Sequence, residues 1–190
     1  MVTARQLPGG DDTIVALATA AGRGAIAVIR LSGARAIDIA RALGASGLQP
    51  RRATRVALRQ PNGEPLDDAL ITWFAAPRSY TGDEVVEIAT HGGHVVPALV
   101  LAACVAAGAR PATPGEFTRR AVLNGRMDLV QAEAVADLID ARTTAMHRQA
   151  LSQLDGGLSR RLLALRDDAC LAQMQQLALL PRLHLRSAWH

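Results

Sequence analysis

Strand-like patterning in this chain lies before residue 91, and no strand candidate follows Met127. Short runs rich in Val, Ile, Thr and Ala, bounded by turn-forming residues, are typical of strands. They occupy residues 13–19, 25–31, 52–59, 66–74 and 84–90. The first two runs flank a glycine-rich turn and the next two flank a Pro-Asn-Gly-Glu-Pro connector, so each pair predicts a β-hairpin. Because strands and helices do not alternate regularly, we predict an α+β fold.

Helical spacing fills the rest of the chain. One helix is expected from Ala34 to Leu43. A second is expected to begin at Gly92-Gly93 and to end at Ala107. Pro111, Pro114 and Gly115 then predict a linker. Two long helices follow, the first over residues 128–154 and the second over residues 158–180.

Composition narrows the possible classes of protein. Hydrophobic residues make up 49% of the chain and aromatic residues only 3%, which indicates a folded protein with an aliphatic core. No apolar run reaches the roughly 20 residues that span a bilayer, and no secretory signal is visible, so the cytoplasm is the expected location. Cys104 and Cys170 are expected to be buried free thiols.

All 21 basic residues are arginine, and the chain contains no lysine. The P-loop of GTPases requires a lysine that reaches the phosphates, so this stretch of sequence cannot supply one. We expect the net charge of +4 to be spread along the chain. Such a charge permits contact with nucleic acid without demanding it.

Two charged residues interrupt apolar strand faces. Arg30 shares a predicted face with Ile26 and Val28, and Glu87 shares one with Val85 and Ala89. A charge in apolar surroundings must be paired or must serve a ligand, because burying it alone is costly. From the residues alone both alternatives stay open: the two side chains pair with each other or with neighbours, or they bind a ligand.

Two further motifs are interpreted as structural. His91-Gly92-Gly93-His94 lies at a strand-to-helix junction, and no metal site is expected there because no Cys or carboxylate cluster accompanies the histidines. Its glycines favour a tight turn or a close backbone approach, and an anion held at the helix start is the alternative. Thr113 and Glu116 have the spacing of a capping box at a helix start.

Three long segments resemble the MnmE/TrmE family of tRNA-modifying GTPases. They are residues 12–33 (DTIVALATAAGRGAIAVIRLSG), 76–93 (APRSYTGDEVVEIATHGG) and 110–143 (RPATPGEFTRRAVLNGRMDLVQAEAVADLIDART). They occur in the family's order and cover most of residues 12–160.

The resemblance implies a domain organisation and a cofactor. Residues 1–118 would form a mixed or antiparallel-sheet domain, similar to the folate domains of glycine-cleavage T-proteins, that binds 5-formyltetrahydrofolate or another one-carbon tetrahydrofolate and forms a homodimer. Residues 119–170 would begin the helical domain, and residues 171–190 form a divergent tail. The implied folate contacts are Arg30, Glu87 and Arg126, the last standing where many members have lysine, with no catalytic residue.

In full-length members the resemblance implies GTP, magnesium and potassium in a G domain, an MnmG-like flavoprotein partner, and tRNA modified at the wobble uridine. Here we expect a stretch truncated before the G domain, without GTPase activity of its own. A fragment or a reading frame altered near Cys170 would explain the divergent tail. Two alternatives are a structural remnant that only dimerises and an arginine-rich RNA-binding module.

Overall fold

The computed structural model describes residues 12–20, 22–160 and 164–166. Its strands are β1 (Ile14–Leu17), β2 (Ile26–Ser32), β3 (Thr54–Arg59), β4 (Pro65–Phe74), β5 (Val85–His91) and β6 (Arg110–Pro111). Its helices are α1 (Ala36–Ala42), α2 (Val95–Ala106), α3 (Glu116–Leu123), α4 (Leu129–Asp140) and α5 (Thr144–Leu154). Residues 157–160 and 164–166 are also helical.

One six-stranded sheet organises the first part of the chain, in the order β3-β4-β5-β2-β1-β6. The β1–β2 and β3–β4 pairs are antiparallel neighbours, as the turn chemistry predicts. Strand β6 runs parallel to β1, so the sheet is mixed and the predicted α+β class is confirmed. The likeness to glycine-cleavage T-proteins stays a prediction.

Strand β6 is absent from the sequence prediction, which places a linker at Pro111. Arg110 donates its backbone N–H to the Thr13 carbonyl at 2.8 Å, and Ala112 donates to the Val15 carbonyl at 2.9 Å. These bonds attach the chain to the outer edge of β1. A strand of two residues, one of them proline, carries no alternating pattern that sequence reasoning could detect.

Helices α1 and α2 pack against one face of the sheet and enclose an aliphatic core. Its fully buried side chains include Ile29 and Leu31 of β2, Ile88 of β5, Ile39 of α1 and Val100 of α2. Cys104 lies in the same core as a free, fully buried cysteine, as predicted. The prediction for Cys170 falls outside the described residues.

The predicted single helix over residues 128–154 is wrong, because two helices occupy that segment. Ala141 after α4 is extended, with φ −62° and ψ 117°. Thr143 then caps α5, its side chain accepting a hydrogen bond from the Met146 N–H. The segment contains neither Gly nor Pro, so the threonine cap is the only local sign of the break.

Backbone contacts divide the chain into two compact units, one up to Arg126 and one from Met127 onward. In the second unit α4 and α5 contact each other, and Gln131 donates from its side chain to the Leu154 carbonyl at 2.8 Å. The domain bounds drawn at residues 118 and 170 stay a prediction. The predicted helix over residues 158–180 lies largely outside the described residues.

In the part of the chain described, no helix is long and apolar enough to cross a membrane.

Candidate functional site

Arg30 and Glu87 form an ion pair across two neighbouring strands. They are direct partners in the antiparallel register of β2 and β5. Both the Nε and an Nη of Arg30 donate to the same carboxylate oxygen, Oε1 of Glu87, at 2.9 and 2.7 Å. No hydrogen bond from a described residue reaches the other oxygen, Oε2. The side chains stay 27% and 28% exposed, so the carboxylate retains an open acceptor that solvent or a ligand can reach.

The alternation of side chains along each strand places this pair on the sheet face opposite the helices. Ile29 and Leu31 point into the core, which turns Arg30 to the other side. Ile88 does the same for Glu87. The predicted face-sharing with Ile26 is correct, but that face is not the core, since Ile26 is 66% exposed.

Two aromatic rings flank the Arg30 guanidinium. Its central carbon lies 5.2 Å from the Tyr80 ring centroid and 5.8 Å from that of Phe117, within cation–π range. The Tyr80 hydroxyl in turn lies 2.8 Å from the Thr118 hydroxyl, which links the loop before β5 to α3. Sequence reasoning did not predict either ring as part of the site, because residues 78–84 and 113–120, which contain them, were interpreted as structural.

The Tyr80 loop is held on both sides. The hydroxyls of Ser32 in β2 and Thr81 in the loop lie 2.7 Å apart, and both residues are buried. Asn124, at the end of α3, donates to the Thr81 carbonyl at 2.7 Å and to a carboxylate oxygen of Asp83 at 3.0 Å. The loop therefore fixes the Tyr80 ring through contacts with both the sheet and α3.

Arg126 lies next to Gly82 of the same loop. Its side chain is exposed, and its Cγ would be 3.2 Å from a Cβ added at Gly82. No hydrogen bond or ion pair in the described part of the chain joins it to Arg30 or Glu87. Two of the three predicted site residues thus contact each other directly, and the third reaches the loop that carries Tyr80.

A partly buried ion network adjoins this region, and sequence reasoning did not predict it. Glu116 accepts from two Arg110 nitrogens at 2.7 and 3.1 Å, so both of its oxygens are occupied. Arg120 bonds to Asp12 at 2.5 Å and lies 3.3 Å from Glu116. Hydrogen bonds from Arg110, opposed by burial and aided by those from Thr113, lower the pKa of Glu116 to about 2.

The same contacts correct the predicted capping box. Helix α3 begins at Glu116 with Gly115 as its N-cap, at φ 73°, so Thr113 does not cap it. Glu116 nevertheless accepts the Thr113 backbone N–H at 2.8 Å and the Thr113 hydroxyl at 3.1 Å. The capping-box spacing correctly indicated a contact between Thr113 and Glu116, but Thr113 is not the N-cap of helix α3.

The histidine-glycine motif holds a turn. The His91 Nδ1 lies 2.7 Å from a carboxylate oxygen of Asp67, whose other oxygen accepts the His91 backbone N–H at 2.8 Å. A Cβ at Gly92 would lie 2.0 Å from the Gly24 carbonyl oxygen, so glycine is needed for space. The motif thus joins the end of β5 to β4 through Asp67, and Gly92 donates its N–H to the Ala25 carbonyl just before β2 at 2.9 Å.

Comparison with known proteins bears on this architecture. The family model described as "GTP-binding protein TrmE N-terminus" matches residues 13–126, which make up most of the first compact unit. The chain belongs to the MnmE/TrmE family. It is similar to the tRNA modification GTPase MnmE of Paramagnetospirillum magneticum, with 56% identity over 150 residues that cover 78% of this chain and 34% of the relative.

Other MnmE/TrmE relatives give the same picture. The tRNA modification GTPase MnmE of Azoarcus sp. is 49% identical over 164 residues, which are 86% of this chain and 36% of the relative. That of Granulibacter bethesdensis is 53% identical over 152 residues, or 80% and 34% of the two chains. The chain therefore spans about a third of the length of these relatives.

Proposed function

We propose that this chain is the tetrahydrofolate-binding and dimerisation module of a tRNA modification GTPase. The observation that carries the folate proposal is the unfilled Oε2 of Glu87 beside an arginine set between two aromatic rings. A pterin presents neighbouring amino and ring N–H donors together with a flat aromatic system. The residues present fit both properties of such a group.

Each side chain has a separable part in binding. Glu87 would accept ligand N–H groups at Oε2, in charge-assisted hydrogen bonds. Arg30 would hold the carboxylate in place, and Tyr80 and Phe117 would offer apolar ring surface to the heterocycle. Arg126 would bind the anionic glutamate tail, although its planar fork differs in geometry from the lysine of many members. When bound, 5-formyltetrahydrofolate supplies a one-carbon unit.

The activity of the longer relatives is also part of the proposal. In a full-length protein this module would work with a G domain that binds GTP, magnesium and potassium, and with an MnmG-like flavoprotein, on the wobble uridine of tRNA in the cytoplasm. The chain without lysine cannot itself form a P-loop, so we expect no GTP hydrolysis by these residues alone.

Calorimetric titration with 5-formyltetrahydrofolate tests the site. We expect saturable binding that Glu87→Gln weakens about 10- to 100-fold, because a hydrogen bond to a charged group contributes about 1.5–3 kcal/mol. The matched control is Asp68→Asn, which alters another carboxylate paired with an arginine between strands of the same sheet. An absence of binding heat at saturating ligand would refute the folate proposal.

Sedimentation velocity tests the homodimer separately. A concentration-dependent shift from one to two chains is expected for the full chain, with and without folate. A single species of one-chain mass at the highest concentration would show that the dimer proposal is wrong and would leave the folate titration unaffected.

A further inference from the structure

Thr72 of β4 extends the Arg30–Glu87 pair into a polar row across three strands. It is the direct register partner of Glu87 in the antiparallel pairing of β4 and β5, and Glu87 is in turn the partner of Arg30 on β2. We propose that the Thr72 hydroxyl is a further ligand-binding group, which together with Glu87 selects a ring edge where an N–H stands beside a carbonyl. The inference rests on the proposed folate site and names the part of the pterin that the site recognises.

The strand pattern places Thr72 on the same sheet face as the Arg30–Glu87 pair. Its neighbours Ile71 and Trp73 both pack against the core, so the Thr72 side chain projects from the opposite face. Residues directly opposite each other in an antiparallel pair have Cβ atoms about 4.5–5.5 Å apart. Because β5 lies between β4 and β2, Thr72 and Arg30 flank Glu87 on opposite sides.

The two sides of Glu87 differ in their hydrogen bonding. On one side Arg30 donates twice to Oε1, and Oε2 accepts no hydrogen bond from a described residue. On the other side, no described residue forms a hydrogen bond with the Thr72 hydroxyl, and this side chain is partly exposed. A hydroxyl supplies one donor and two acceptor lone pairs. The open acceptor of Glu87 therefore has a group that can donate beside it.

Four hydroxyl groups near the site are already paired with one another. Those of Ser32 and Thr81 lie 2.7 Å apart, and those of Tyr80 and Thr118 lie 2.8 Å apart. These pairs join the Tyr80 loop to the sheet and to α3, so each has a structural contact to keep. The Thr72 hydroxyl has no such contact in the described part of the chain, which leaves it available to a ligand.

An acceptor beside a donor matches one edge of a pterin. An ionised carboxylate only accepts hydrogen bonds, so Oε2 of Glu87 suits a ring N–H, while the Thr72 hydroxyl suits the neighbouring carbonyl oxygen. A 2-amino-4-oxo ring has this N–H beside its carbonyl. A 2,4-diamino ring has a nitrogen without hydrogen there, beside an amino group, so it presents an acceptor to the Glu87 carboxylate. A site that pairs with a specific polar edge rejects an analogue that leaves its groups unpaired.

The fold does not require a hydroxyl at this position. Valine has the shape of threonine and is equally suited to a strand, so Thr72→Val should retain the sheet. Thr72→Ser keeps the hydroxyl and loses the methyl group. The two variants together separate the hydrogen bond from the packing of the side chain.

Calorimetric titration of the full chain with 5-formyltetrahydrofolate and with its 4-amino-4-deoxy counterpart tests the inference. We expect wild type to bind the 4-amino compound at least about tenfold more weakly. Thr72→Val should lower the affinity for 5-formyltetrahydrofolate about three- to tenfold, the effect of one hydrogen bond, and should change that for the 4-amino compound less than about twofold. Thr72→Ser should bind both compounds as wild type does.

The matched control is Thr54→Val, the same substitution on β3, at the register partner of Ile71 and thus on the core side of the sheet. It should leave both affinities unchanged. Equal affinity of wild type and Thr72→Val for 5-formyltetrahydrofolate would overturn the inference and leave the folate proposal standing. Equal affinity of wild type for the two compounds, or an equal loss for both in Thr72→Val, would also overturn it. An absence of binding by wild type would instead refute the folate proposal itself, and this inference with it.

Discussion

Removing the charge of Glu116 should destabilise the first compact unit strongly. The Glu116→Gln variant keeps the shape of the side chain but loses the carboxylate that Arg110 and Arg120 share. Glu116 and Arg120 are only 1% and 5% exposed, so solvent cannot compensate for the loss. Breaking a buried pair by removing one partner costs about 3–5 kcal/mol.

The pKa of Glu116 gives an independent magnitude for the loss of stability in Glu116→Gln. It falls from an ordinary 4.5 to about 2 in the folded protein. A depression of that size corresponds to about 3 kcal/mol of stability. Because the folded pKa is the lower one, this contribution is fully present above pH about 4.5 and is lost as the pH falls through about 2. The difference between wild type and Glu116→Gln should therefore be about 3 kcal/mol near neutral pH and should shrink in acid.

Urea denaturation followed by circular dichroism, repeated from acid to neutral pH, measures this difference. The control Asp38→Asn breaks an exposed pair with Arg41 on α1 and should cost less than about 1 kcal/mol at every pH. A loss below about 1 kcal/mol for Glu116→Gln at neutral pH, or a loss independent of pH, would refute the reasoning.

Three further outcomes follow from local geometry. Gly92→Ala should lower the free energy of unfolding by about 1–3 kcal/mol in denaturant titrations, because its Cβ meets the Gly24 carbonyl oxygen, whereas Gly24→Ala makes only an ordinary contact at 3.5 Å and should change little. The hydrogen bond and charge of Asp67 raise the pKa of His91 above 6.5, so its NMR titration midpoint should fall in Asp67→Asn. Burial raises the pKa of Cys104 to about 12, so peptide mapping should find this thiol unmodified by maleimide until the protein is unfolded.

Local patterning predicted the elements whose information lies within a few residues. The β3–β4 hairpin was predictable because Asn62-Gly63 between two β-rich runs is a strong turn signal. The break between α4 and α5 was missed because Ala141 leaves the helix without Gly or Pro to mark the exit. Strand β6 was missed because its pairing with β1 joins segments far apart in sequence.

The same distinction holds within the candidate site. Arg30 and Glu87 were predictable because each interrupts an apolar strand pattern. Tyr80 and Phe117 carry no such signal, since their place beside Arg30 depends on how a loop and α3 cover the sheet. The Asp12–Arg120 contact joins residues 108 positions apart, and no local pattern specifies which carboxylate meets which arginine over that distance.

Two arginine–glutamate pairs in this chain differ in how many of their carboxylate oxygens accept a hydrogen bond from arginine. In the Arg110–Glu116 pair both carboxylate oxygens are occupied and the Glu116 side chain is 1% exposed, as expected where an ion pair only supports the fold. In the Arg30–Glu87 pair a single oxygen takes both hydrogen bonds, and the carboxylate stays 28% exposed. The structure thus shows the pairing alternative that the sequence left open, and the open oxygen is the observation that supports the proposed folate site.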